Sequence, residues 1–183
     1  WVHCPAGAAL IGQLGETRVV LQRTDRFEAF PEADPDYVGH MIDRARDVAD
    51  LVVYAAPHLM AEEAVFDRDQ ILIDHGVDLD RFAGAGQAAR EGRLDIPADL
   101  AGIRGPRVGF IGGLDAHTFA PELFIEVARR LPGHQFVLVG GSSLPEGWCD
   151  LANVHMLGRK PYEAVAAYQA AMDVLIMPWN DSE

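Results

Sequence analysis

At 183 residues with 49% hydrophobic side chains, the chain is long enough for one ordinary domain or two small ones with a buried core. A formal net charge of -13 argues against nucleic acid or an anionic membrane as the main partner. No apolar run approaches the roughly 20 residues that cross a bilayer and no signal-type segment opens the chain, so a soluble, cytoplasmic protein is expected.

Trp1 to His3 reads as the end of a strand, and Arg18 to Gln22 as a second one. The segment RTDRFEAFPEADPD after it is polar and punctuated by proline, hence a loop. From Tyr37, Val38, Met41, Ile42, Ala45, Val48 and Ala49 recur on one face, which predicts a helix. The continuous apolar run LVVYAA is a buried strand, Pro57 starts a short helix to about Val65, and Ile71 to Asp74 is the next strand. Residues 83–106 are rich in Gly and Ala, and are expected to be a connection with one helical turn. Cys4 and Cys149 lie in no metal-spaced group and read as free buried thiols. The start at Trp1 and the end just after an apolar run suggest a piece of something larger.

The second half is organised around Arg107 to Gly141. Val108, Phe110 and Ile111 form a strand that stops at Gly112-Gly113, and Pro121 opens a helix carrying Leu123, Phe124, Val127, Ala128 and Leu131 at helical spacing. Pro132-Gly133 ends it, and Phe136 to Val139 is a strand closing at Gly140-Gly141. This βαβ unit requires parallel pairing, and both glycine turns should face one crevice at the carboxyl ends of the strands. A strand at Asn153 to Leu157, a turn Gly158-Arg159-Lys160-Pro161, a helix at Tyr162 to Ala171 and a strand in DVLIMP follow. The alternation predicts an α/β protein of two incomplete Rossmann-like, doubly wound parallel pieces: 1–82, a linker 83–106, and 107–183.

Three segments in order, ARDVADLVVYAAPHL, ILIDHGVDLDRF and NVHMLGRKPYEAVAAYQAAMDVLIMPW, resemble the family four glycosyltransferases of the GT-B fold, especially bacterial enzymes of polysaccharide biosynthesis. Asp74-His75-Gly76-Val77-Asp78 and Phe82 stand where that family has a strand exit of the type IPNGVD...F, with Asp-His for Pro-Asn. The resemblance implies that 1–82 ends an acceptor-side domain and that 107–183 begins a donor-side domain. It further implies retaining transfer of a sugar from a nucleotide-diphosphate sugar to a glycan or lipid-linked acceptor, with possible peripheral membrane contact of the parent protein. No cofactor beyond the donor and no obligatory metal are implied. The family's downstream acidic pair is not matched, since Glu183 sits too early, and no catalytic residue is assigned.

Gly112 and Gly113 would let the backbone approach a diphosphate, helped by amides at the start of the next helix. The family often has Arg and Lys in this loop; Gly113 and Thr118 stand in those places, Asp115 and Glu122 add negative charge, and His117 is a substitute donor. A capped tight turn is the structural alternative. Gly158, Arg159 and Lys160 lie where the family receives the nucleotide, with a fork and a point charge suited to phosphate; a solvated basic turn is the structural alternative. Gly140 and Gly141, with Ser142 and Ser143, either approach the donor from the neighbouring strand end or form a plain turn. Arg23, Asp25 and Arg26 are weaker acceptor-side candidates. His75 and Asp78 resemble a dyad or a metal pair, but their position favours a hinge. Trp148 and Trp179 read as packing groups. A non-catalytic nucleotide-binding or scaffold module is the alternative function, and a Rossmann dehydrogenase is disfavoured because no G-x-G-x-x-G opens either helix.

Overall fold

The computed structural model describes residues 1–63 and 69–180. It divides into two compact units, Trp1–Val77 and from Asp78 onward. The first unit holds a parallel sheet in the order β1 (Val20–Arg23), β2 (Leu51–Tyr54), β3 (Asp69–Leu72). Helix α1 (Pro35–Val48) begins two residues before the apolar pattern suggests. Asp34 accepts from the Tyr37 amide at 3.0 Å, and Pro35 fills the first turn, where a missing N–H costs nothing. Helix α2 (Pro57–Glu63) starts as expected, and its expected end near Val65 lies outside the described residues. Strand β3 falls two residues earlier than read, because the register with β2 pairs Leu51 with Asp69. Val2, Leu21, Ala45, Ala49, Val52, Tyr54 and Leu59 form this unit's core.

The second unit opens with α3 (Leu79–Arg90) and α4 (Ala98–Ala101), so the stretch read as a connection, 83–106, carries most of a twelve-residue helix and all of α4. Asp78 caps α3 by accepting from the Arg81 amide at 3.2 Å, and α3 packs on α6 (Tyr162–Ala170). The alanines that read as linker composition are strong helix formers once one side is covered. Strands β4 (Arg107–Ile111), β5 (Gln135–Val139), β6 (Val154–Gly158) and β7 (Val174–Leu175) form a parallel sheet in the order β6-β5-β4-β7. Helix α5 (Pro121–Arg130) crosses from β4 to β5, and α6 from β6 to β7.

Both faces of this sheet are covered. Val108, Phe110, Phe136 and Leu138 pack with Phe119, Phe124 and Ala128 on the α5 face. Val137 and Val139 pack with Leu100 and Tyr168 on the other. Burial on both faces accounts for the unbroken apolar runs in β4 and β5. Each unit is thus a parallel α/β layer structure, as the alternation of elements predicts. Among the described residues, no helix is long and apolar enough to cross a membrane.

Candidate functional site

The strand order of the second sheet turns back at β4, with β5 on one side and β7 on the other. In open parallel sheets such a reversal leaves a crevice at the carboxyl ends of the strands. Here the turns after β4, β5 and β6 extend the ladder past the strands. Gly112 N donates to Val139 O at 3.0 Å, Leu114 N to Gly141 O at 2.8 Å, and Gly140 N to Gly158 O at 3.0 Å. Gly140 has a φ of 154°, and a Cβ there would collide with the Gly112 carbonyl, so the two turns cross at backbone contact. The guanidinium of Arg159 lies against Gly141, with Nη2 3.1 Å from where a Cβ would stand. Gly112, Gly113, Gly140, Gly141, Gly158 and Arg159 are therefore gathered along one edge, and Arg159 is exposed.

Lys160 has a different surrounding. Its Nζ lies 2.6 Å from Asp99 Oδ2 on α4 and 5.6 Å from the centre of the Tyr168 ring, while Tyr168 donates its hydroxyl to Asp99 Oδ1 at 2.6 Å. The ammonium and the Tyr168 hydroxyl hold the Asp99 carboxyl below its ordinary value, and the carboxylate in turn raises Lys160. This cluster fastens the turn after β6 to α4 and α6, and it engages the lysine charge with a carboxylate.

The loop after β4 is closed from within. Asp115 Oδ1 accepts from the amides of His117 at 3.1 Å and Thr118 at 2.9 Å and from the Thr118 hydroxyl at 3.1 Å. The Thr118 amide leads the causes that lower the Asp115 pKa. Asp115 is thus turned into its own loop, and two amides that would suit a phosphate are already donated. His117 is exposed on this loop. From the β7 side, Asn180 Nδ2 donates to the carbonyls of Ala116, His117 and Phe119 at 2.8, 3.2 and 3.0 Å. Helix α5 has no side-chain cap at Ala120 and carries Glu122 in its first turn.

In the first unit, Arg23 is buried, with 1% of its surface exposed. Its Nη2 is 2.6 Å from Glu63 Oε1 and 3.1 Å from Glu28 Oε1, and Nη1 donates to Asp25 O at 3.0 Å. Arg46 Nη1 reaches Glu63 Oε2 at 3.1 Å. Burial pushes the Glu63 carboxyl up, but Arg23 and Arg46 outweigh it and the net shift is downward. Burial, then the Glu63 charge, pushes Tyr54 up to about 12. Arg23 therefore anchors the core side of the loop after β1. Asp25 accepts from the Arg26 amide, and Arg26 pairs with Glu62 at the surface.

Asp78 is the cap of α3, and the His75 amide donates to the Asp74 carboxylate. Among the described residues, no group of three or more His, Cys, Asp or Glu is placed to hold a metal ion. Trp148 packs against Phe119 and Phe124, with ring centres 5.7 and 5.8 Å away. Trp179 differs from its reading as a packing group: its backbone bridges to Phe119 and its ring is exposed. The cysteines are free, but Cys4 is exposed and Cys149 half-buried.

Residue patterns missed Glu63, Asp99 and Asn180 as partners. For Arg23 a signal exists: Leu21 and Arg23 share one face of β1, and Leu21 is buried. Nothing local marks Asn180, whose partners lie about sixty residues away.

No family model and no curated protein matches the chain. Among solved structures it is similar to Anabaena Alr3699/HepE in complex with UDP and glucose, with a TM-score of 0.60, 16% identity, and coverage of 86% of this chain and 45% of that one. The same protein in complex with UDP gives 0.61 and 14%, with 91% and 48% covered. In complex with UDP-glucose it gives 0.58 and 14%, with 86% and 46% covered. The chain spans about half the length of these structures. The likeness runs through both units and shows the fold: two parallel α/β pieces in series, of the GT-B class that the sequence resembles.

Proposed function

We propose that the chain is part of a glycosyltransferase that moves a sugar, with retention, from a nucleotide-diphosphate sugar to a glycan or lipid-linked acceptor in polysaccharide assembly. The observation that carries this reading is the likeness, across both units, to a protein solved with UDP and with UDP-glucose. The unit from Asp78 onward is the donor unit in this reading, and the unit before it the acceptor unit. The crossing of Gly112 and Gly140 supports the assignment, because it leaves no side chain between the sheet edge and an approaching diphosphate. In this reading Arg159 is the cation that stabilises the leaving diphosphate, and His117 is a further donor on the loop after β4.

A non-catalytic nucleotide-binding module is the second reading. It is favoured by the loop after β4, where Asp115 holds two amides and no lysine or arginine is present.

Calorimetric titration of the full-length protein with UDP, UDP-glucose and GDP, followed by assays of UDP-sugar turnover, tests both. Binding of UDP with turnover supports the transferase. Binding without turnover supports the module, and absence of binding by all nucleotides overturns the donor unit itself.

A further inference from the structure

The loop after β4 is held on both of its sides by different groups. On one side the Asp115 carboxylate gathers the amides of His117 and Thr118. On the other, the carbonyls of Ala116, His117 and Phe119 converge within 3.2 Å on the side-chain amide of Asn180. The Asn180 backbone amide donates to Thr118 O at 2.9 Å, and Ala120 N donates back to Pro178 O at 2.8 Å. Four successive carbonyls, from Ala116 to Phe119, are thus bonded by Asn180 alone. These bonds join the carboxyl ends of β4 and β7, the pair at which the strand order turns back.

We infer that Asn180 is a positioning residue for the diphosphate of the donor, acting through the loop after β4. The inference rests on the nucleotide-sugar reading above. A run of carbonyl oxygens beside the glycine turn would repel phosphate if it were free to rotate toward it. Asn180 removes that run from the crevice by drawing all four oxygens onto its three N–H groups, two on the side-chain amide and one on the backbone, which shields the loop without adding a charge. The same bonds set the backbone that presents His117. Ordering the loop in advance also lowers the entropy cost of closing it around a ligand. Asn180 touches neither the glycines nor Arg159 in this scheme, so its effect is confined to the part of the ligand that faces the loop.

The test is calorimetric titration of the full-length protein, its Asn180→Ala variant and its Asn180→Asp variant with UDP and with UMP. Aspartate keeps the size and shape of the side chain, removes its N–H donors and adds a negative charge, whereas alanine removes the donors and the packing without a charge, so the loss common to both variants reports the missing bonds. Both variants are expected to weaken UDP roughly tenfold, the scale of lost hydrogen bonds to an ordered loop, and UMP less than about twofold. Hydrogen exchange should show faster opening at Thr118 and Ala120, with β5 amides protected as before. Unchanged UDP affinity in both variants, equal weakening of UDP and UMP, or an aspartate variant that binds as the native protein does would overturn the inference. If the native protein binds neither nucleotide, the donor-unit reading fails and the inference with it, a failure visible before any substitution is made.

Discussion

The Gly112 carbonyl oxygen fills the space that a Cβ on Gly140 would need, and this contact fixes how the turns after β4 and β5 cross. Backbone meets backbone there, so no rotamer change relieves an added methyl group. Gly140→Ala is expected to cost about 3 kcal/mol, the upper end of overpacking penalties, because it adds a clash to an unfavourable φ. Gly158 has a φ of 70° with open space around the Cβ position. Gly158→Ala should then cost only about 1 kcal/mol, the backbone penalty alone. Urea denaturation of the two variants checks the difference, and equal losses would show that the crossing is not what restricts Gly140.

Acid should act on the first unit through Glu63. Its folded pKa lies below 4.5, since Arg23 and Arg46 outweigh the effect of burial. A depressed carboxylate contributes stability that is present above the unfolded value and is lost as pH falls through the folded one. Stability should therefore be level at neutral pH and decline below about 4.5 as Glu63 takes up its proton. Glu63→Gln leaves Arg23 without its main counter-charge and is expected to cost about 3 kcal/mol or more at pH 7, the scale for breaking a buried pair. Denaturation followed from pH 7 to pH 3 should show a flatter profile for the variant. A profile as steep as that of the native chain would place the acid sensitivity elsewhere.

Periodicity was sufficient for most of the fold, because β4, β5 and α5 are built from local patterns that agree with their tertiary surroundings. The same locality explains the errors. Residues 83–90 look like linker because α3 lacks a strongly apolar face of its own, and its helix is completed by contact with α6, whose position no local pattern reveals. The glycine turns were legible since each ends an apolar run. The roles of Lys160, Arg23 and the loop after β4 were not, since these depend on partners far along the chain: Lys160 on Asp99, Arg23 on Glu63, and the loop on Asn180.

Lys160 and Asp99 should behave as one unit. Lys160→Ala and Asp99→Asn each break the 2.6 Å contact, so their effects on stability should be markedly less than additive. The coupling is expected to be about 0.5 kcal/mol, because both side chains keep contact with solvent. A double-mutant cycle by urea denaturation measures it. The coupling should fade as acid protonates Asp99, below its ordinary carboxylate range, and also as alkali deprotonates Lys160, above its ordinary ammonium range. Full additivity at pH 7 would mean that the contact does not hold the turn after β6.

Arg159 follows Gly158 in the same turn but has the opposite setting. It is exposed, its guanidinium rests against Gly141 at the glycine edge of the sheet, and among the described residues no carboxylate forms an ion pair with it. A planar fork held there by a neighbour without a side chain can give two parallel N–H bonds to a diphosphate. Arg159→Ala is expected to weaken UDP roughly tenfold, the loss of one charge-assisted contact, and to make binding less sensitive to salt. Arg159→Lys should recover part of the salt sensitivity and little of the affinity, because a point charge replaces the fork while the attraction at a distance remains. Titration of UDP into the three proteins at low and high salt separates the two effects. If the lysine variant matches the native protein in both, the guanidinium geometry is irrelevant and only a positive charge at this turn matters.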